Sequence, residues 1–161
     1  MRLLMVCLGN ICRSPLAEGV VRAHLDRNGL DWVDVDSAGT GGWHAGEPPD
    51  RRSIAVAAGA GVDIRAQRAR KLRVADFDDF DWLLCADRSV LRDVRAMMPS
   101  GAAVQTALLL EWAGQGDGAE IPDPYTGGPE DFRRVWAMVD AAAAVAAPTR
   151  PVPLTSTNRW P

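Results

Sequence analysis

Residues 3–15 read Leu-Leu-Met-Val-Cys-Leu-Gly-Asn-Ile-Cys-Arg-Ser-Pro. Leu3 to Cys7 is a short unbroken apolar run that stops at Gly9-Asn10, the mark of a strand buried on both faces. Ser14-Pro15 then opens a helix, since Ser is a favoured N-cap and Pro fits the first helical position. Leu16, Val20, Ala23 and His24 recur at helical spacing as far as the stop at Asn28-Gly29. A buried strand, a short turn and a helix in immediate succession are the opening of a parallel α/β sheet.

The rest of the chain continues that alternation. Trp32, Val33, Val35 and Ala38 form a second strand pattern ending at Gly39, and a Gly- and Pro-rich loop runs from Gly41 to Pro49. A helix over 51–59 turns Ile54, Ala57 and Ala58 inward. Trp82 to Ala86 is a third buried strand, after which Asp87 caps a helix carrying Leu91, Val94 and Met98 and ended by Pro99. Ala103 to Ala107 is the fourth strand. The last helix, from Glu130 to Ala147, presents Phe132, Val135, Trp136 and Val139 on one face. The expectation is a single doubly wound α/β domain, with a four-stranded parallel sheet flanked by helices on both faces. The domain covers 1–147, and 148–161 is a Pro-rich, flexible C-terminal tail with no assigned role.

Composition narrows the partners. The 161 residues are 47% hydrophobic and 24% charged, and 18 basic against 21 acidic side chains leave a formal charge of −3. No basic block is present, which disfavours nucleic acid and anionic membranes. The apolar start imitates a signal peptide, and Leu4-Met5-Val6-Cys7 even resembles a lipoprotein box. Gly9-Asn10 and Arg13 cut that run too short, and no stretch approaches the roughly 20 apolar residues of a membrane span. Three cysteines are too few for a disulfide scaffold and odd in number. A cytoplasmic monomer is the expectation.

In a doubly wound sheet ligands bind beyond the carboxyl ends of the strands, which is where Cys7 to Ser14 lies. The six backbone N–H groups of residues 8–13 can curl into a nest for one anion, aided by the helix N-terminus. Gly9 and Asn10 are residues that tolerate the positive φ of such a curl, and Arg13 adds a permanently charged, bidentate clamp. Cys7 at the bottom of the nest is surrounded by dipoles that favour the charged, nucleophilic form of sulfur. The Ser14 hydroxyl can donate to that sulfur. A structural cysteine beside a plain turn would explain either feature alone, but not Cys, Gly-Asn, Arg and Ser-Pro converging on one loop.

Cys7-Leu8-Gly9-Asn10-Ile11-Cys12-Arg13-Ser14-Pro15 resembles the phosphate-binding loop of the low-molecular-weight protein tyrosine phosphatases. The likeness extends through Val35 to Thr40, Trp43-His44, Pro48 to Arg51, Ala69-Arg70, Asp81 to Asp87 and Asp123-Pro124-Tyr125. It implies that Cys7 is the nucleophile, that Leu8, Gly9, Asn10, Ile11, Cys12, Arg13 and Ser14 hold the phosphate, and that Asp123 is the general acid and then the base. Trp43 and Tyr125 would wall a cleft for an aromatic ring over Leu8 and Ile11, Asn10 and Ser37 would support the loop, and Cys12 would guard Cys7 against oxidation. Substrates would be phosphotyrosine proteins or small aryl phosphates. No cofactor or metal is implied, and neither His24 nor His44 has a ligand-like neighbour in sequence. Thr126, Gln67 and Ala86-Asp87-Arg88-Ser89 depart from the family's usual residues.

Four other readings are weaker. An arsenate reductase would relay electrons from the same loop through Cys85 and a further thiol, yet residues 89–98 contain none. A phosphoarginine phosphatase of this family has a small or hydroxyl residue in place of Ile11. A silent phosphotyrosine-binding module would have lost Cys7 or Asp123, and a Cys–His protease needs a base that His24 and His44 do not offer.

Overall fold

In a computed structural model, which describes residues 1–146, four parallel strands are ordered β2-β1-β3-β4. They are β1 (Arg2–Cys7), β2 (Asp34–Gly39), β3 (Trp82–Cys85) and β4 (Gln105–Leu108). The helices are α1 (Arg13–Arg27), α2 (Arg51–Gly59), α3 (Asp76–Asp79), α4 (Arg88–Met97), α5 (Leu109–Trp112) and α6 (Pro129–Ala146). The chain passes from β1 to β2 on one side and then returns to β3 on the other, so the sheet order reverses at β1 and β3. That reversal opens a crevice at their carboxyl ends.

Strand alternation divides the core into two layers. Leu3, Met5 and Cys7 face α1 and α6 through Leu16, Val20, Val135 and Val139. Leu4 and Val6 point the other way, to Leu83, Cys85, Phe77 and the α4 residues Val90 and Val94. Every side chain from Leu3 to Cys7 is 2% exposed or less, as a strand covered on both faces requires.

Several expectations are corrected. Ser14 does not cap α1: the helix begins at Arg13, and Cys12 occupies the cap position without a side-chain bond. The Ser14 hydroxyl is spent on the sulfur of Cys7 instead. Trp32 precedes β2 and is 41% exposed. In α2, Ala58 faces solvent and Ser53 takes the inward position, its hydroxyl donating to the Cys12 carbonyl. The fourth strand is shifted to Gln105–Leu108, and α6 starts at Pro129. Asp87 does cap α4, accepting from the Val90 N–H at 2.8 Å. The tail expected at 148–161 lies outside the described residues. Among the described residues no helix is long and apolar enough to cross a membrane.

Candidate active site

The loop after β1 is shaped by contacts the strand itself brings. Cys7 pairs with Gly39 across the β1–β2 ladder, and beyond it the N–H groups of Thr40 and Gly41 bond the carbonyls of Cys7 and Leu8 at 3.0 and 2.8 Å. A Cβ on Gly39 would stand 2.8 Å from the Leu8 oxygen and 3.0 Å from the Asn10 nitrogen, so only glycine lets the loop fold down here. Asn10 has φ 55°, whereas Gly9 is not at positive φ. Gly9 serves a different need from the one expected of it, since the His44 ring lies against it, 3.2 Å from where a Cβ would be.

Asn10 fixes the direction of the hydrogen bonds around Cys7. Its carbonyl oxygen accepts from the Arg70 N–H at 2.9 Å, which sets the amide orientation. Both amide hydrogens are then donated, to Ser14 Oγ at 2.8 Å and to Ser37 Oγ at 3.0 Å. Each serine must therefore send its own proton elsewhere. Ser37 donates to Glu18 Oε2 at 2.7 Å, and Ser14 has Cys7 Sγ at 3.0 Å, well inside the 3.5 Å to its other acceptor, the Ala38 carbonyl. The Asn10 N–H also donates to that sulfur, at 3.3 Å. Two donors are thus aimed at the sulfur by a buried network whose far end is a carboxylate. Burial raises the pKa of Glu18, opposed by its bonds to Ser37 and Arg22. Gln67 stands apart from this network and donates to the Pro15 carbonyl at 3.2 Å.

The β3 end completes the site. The Ala86 N–H bonds the Val6 carbonyl, and the Ile121 N–H bonds the Ala86 carbonyl, so the sheet reversal sets Asp87 and residues 121–123 beside the loop. Asp87 Oδ2 accepts from Arg13 Nη1 at 2.6 Å while its Oδ1 caps α4. The same Nη1 donates to the Ile121 carbonyl at 3.0 Å, and Nη2 lies 3.5 Å from Asp123 Oδ2. Burial works against the cation, but the Cys7 sulfur and the Asp87 hydrogen bond outweigh it, so the Arg13 pKa is raised.

One cleft collects these groups: Cys7, Cys12 and Arg13 at its base, Leu8, Gly9 and Ile11 along the loop, and Trp43, His44, Asp123 and Tyr125 around the mouth. Trp43, Tyr125 and Leu8 are 72%, 51% and 42% exposed, a degree of apolar exposure expected of a binding surface rather than a core. The Asp123 carboxylate is 47% exposed, its Oδ1 accepting from the Tyr125 N–H at 3.1 Å. The other two thiols differ in setting. Cys12 packs with Ile11, Ala69 and Phe132, and burial, with the Asp50 carboxylate, pushes it up to about 12. Cys85 is fully buried on the opposite sheet face from Cys7, and burial likewise pushes it up to about 12.

All the site residues expected from sequence meet in this cleft or support it. Glu18 and the second use of Asp87 were not foreseen, and His44 gains a place in the cleft wall; it bonds Glu47 at 2.8 Å. Thr126 is exposed and does not line the cleft.

A family model described as "Low molecular weight phosphotyrosine protein phosphatase" matches residues 2–147. A protein of that name from Schizosaccharomyces pombe is 41% identical over 133 residues, covering 81% of this chain and 85% of its own. A protein tyrosine phosphatase from Entamoeba histolytica, solved with Hepes in its active site, superposes with a TM-score of 0.84. The two are 32% identical, and the match covers 90% of this chain and 93% of that one. A Drosophila arginine phosphatase superposes with the same TM-score at 28% identity, covering 90% and 94%. With a family model spanning nearly its whole length and a relative this close, the chain belongs to the low molecular weight phosphotyrosine protein phosphatase family.

Proposed function

We propose that the chain hydrolyses phosphotyrosine in proteins, and small aryl phosphates, through a phosphocysteine intermediate. The observation that carries this reading is one cleft in which Cys7 Sγ, with donors at 3.0 and 3.3 Å, lies beneath the Arg13 guanidinium and the Asp123 carboxyl. The Cys7 thiolate attacks phosphorus, and the aryl oxygen leaves as the P–O bond breaks. Asp123 delivers the proton that oxygen needs. Asp123, now a carboxylate, takes a proton from water as the water oxygen attacks phosphorus. The P–S bond then breaks, returning the thiolate to the Ser14 hydroxyl and releasing phosphate. The amides of the loop and Arg13 hold the equatorial oxygens throughout, which is where charge stabilisation in phosphoryl transfer is needed.

Cys12 and Cys85, both with thiols raised to about 12, stay protonated at neutral pH and are not competing nucleophiles. Should a peroxide take Cys7 to the sulfenic acid, Cys12 is the neighbour to form a disulfide with it, with loss of water. Cys85 on the far side of the sheet is badly placed for the relay of an arsenate reductase. The TM-scores to the tyrosine and arginine phosphatases are equal, so backbone shape does not choose between those substrates. What favours the aryl ester is Ile11, a bulky residue on the loop that lines the cleft, where the arginine phosphatases of the family have a small or hydroxyl one.

Asp123→Ala tests the mechanism. It is expected to lower kcat/KM for phenyl phosphate by roughly 100-fold or more, the usual contribution of a general acid, with a far smaller loss for 2,4-dinitrophenyl phosphate, whose leaving group departs as a stable anion. Equal losses on the two esters would contradict the assignment. Because arginine and amides supply the positive charge, turnover is expected to be the same with and without EDTA. A chelation loss that an added divalent ion restores would show that a metal takes part.

A further inference from the structure

Asp50 and Arg52 form a local device that the chain uses twice. Asp50 Oδ1 accepts from the Arg52 N–H at 2.8 Å and Nε at 3.0 Å, and Oδ2 accepts from Nη2 at 2.9 Å. Asp63 and Arg65 repeat the same three bonds at 3.0, 3.0 and 2.9 Å. There the side chains are 61% and 75% exposed and, among the described residues, make no other hydrogen bond, a surface turn of small energetic worth. Arg52 differs in what its remaining donors do. Nη1 donates to the Gly127 carbonyl at 3.0 Å and Nη2 to the Tyr125 carbonyl at 3.1 Å. The guanidinium also lies 4.4 Å from the centre of the buried Phe132 ring and 5.9 Å from that of Tyr125, within cation–π range.

These bonds span two parts of the site. The Asp50 N–H donates to the Ile11 carbonyl at 2.8 Å, which fastens the start of α2 to the phosphate loop. On the other side, the loop 123–128 is held from within by the Asp123–Tyr125, Pro124–Gly127 and Gly128–Asp131 bonds. Among the described residues, and apart from the Gly128–Asp131 bonds to the start of α6, the two bonds from Arg52 are the only hydrogen bonds that tie the backbone of 123–128 to another segment. Pro124 offers no N–H for such a tie. Without that strap a half-exposed carboxyl on a loop so loosely joined would be held near Cys7 only by the 3.5 Å ion pair with Arg13, and proton delivery is sensitive to displacements of an ångström.

We propose that Arg52 is a positioning residue for the proton-transfer step, holding the Asp123 loop in register with the phosphate loop. The inference rests on Asp123 being the general acid. Arg52→Met is expected to lower kcat/KM for phenyl phosphate about tenfold, a fraction of what the acid itself supplies, and to change that for 2,4-dinitrophenyl phosphate less than about twofold. Combined with Asp123→Ala, the same substitution is expected to cost less than about twofold on either ester, since a strap has nothing left to hold. Inhibition by inorganic phosphate should stay within about twofold, which also shows the phosphate loop folded. If Arg52→Met unfolds the protein, Arg52→Lys, which keeps the charge but cannot fork onto both carbonyls, is measured in the same way with the same pattern expected. Equal losses on both esters, a full loss that persists beside Asp123→Ala, or weakened phosphate binding would overturn the proposal. If Asp123→Ala discriminates between the esters and Arg52→Met does not, this inference alone fails; if neither discriminates, the assignment of the acid fails with it.

Discussion

Cys7→Ser is expected to abolish turnover, lowering kcat by roughly 10,000-fold or more, as removal of a nucleophile does in other covalent mechanisms, while inorganic phosphate still binds. The two halves of this result come from different atoms. At neutral pH a serine hydroxyl is almost wholly protonated, and no side-chain base lies beside position 7 to take the proton; the groups facing the sulfur, Ser14 Oγ and the Asn10 N–H, are the donors of a site built for an anion. The anion pocket is another matter. It consists of loop amides and Arg13, whose placement depends on Gly39, Asn10 and Asp87 rather than on sulfur. Replacing a thiolate by a neutral hydroxyl also removes a negative charge from beneath a phosphate dianion, so binding should hold or tighten. Rapid mixing with an aryl phosphate should show no burst of phenol, and titration with phosphate should give a dissociation constant no weaker than that of the wild type. Residual turnover above about one part in 1,000 would place the nucleophile elsewhere.

The first turn of this chain was legible because its chemistry is local. An apolar strand, a residue free to take positive φ and a charged residue at the head of a helix sit in one short window, and the structure has them all, with Asn10 at φ 55°. What escaped reading was set by neighbours distant in sequence. Glu18 appears as one polar residue on a helix, and only the β1–β2 pairing, which puts Ser37 opposite Met5, makes it the end of a buried network. Asp87 was readable as a helix cap from its position before α4. Its other oxygen reaches Arg13, 74 residues away, because β3 lies beside β1. The four-residue helices α3 and α5 are too short to show a period of 3.6, and Gly9, which reads as a positive-φ residue, is not one and has the His44 ring packed against it. Arg52 carried no signal at all, since the same Asp-x-Arg pattern at 63–65 is only a turn.

Arg13→Lys is expected to lower kcat/KM by about 1,000-fold, within the range seen when an arginine clamp on a transferring phosphoryl group is lost. The reason lies in how the guanidinium spends its donors. Both Nη1 hydrogens are committed, to Asp87 at 2.6 Å and the Ile121 carbonyl at 3.0 Å, which locks the plane of the group. The Nε–H and one Nη2–H then share the remaining edge as a parallel pair, a fork matched to two phosphate oxygens. Nη2 also lies 3.5 Å from Asp123 Oδ2, an ion pair without a hydrogen bond. A lysine ammonium keeps the charge but has no plane to lock and no parallel pair to offer. It can satisfy Asp87 or the phosphate, and near a carboxylate with only 22% of its side chain exposed it should favour Asp87. The loss should therefore appear in both terms, with phosphate inhibition weakened and kcat reduced for esters of every leaving group. That uniformity separates Arg13 from Asp123 and Arg52, whose effects should follow the leaving group. A change of less than about tenfold would mean that the loop amides alone carry the charge of the transition state.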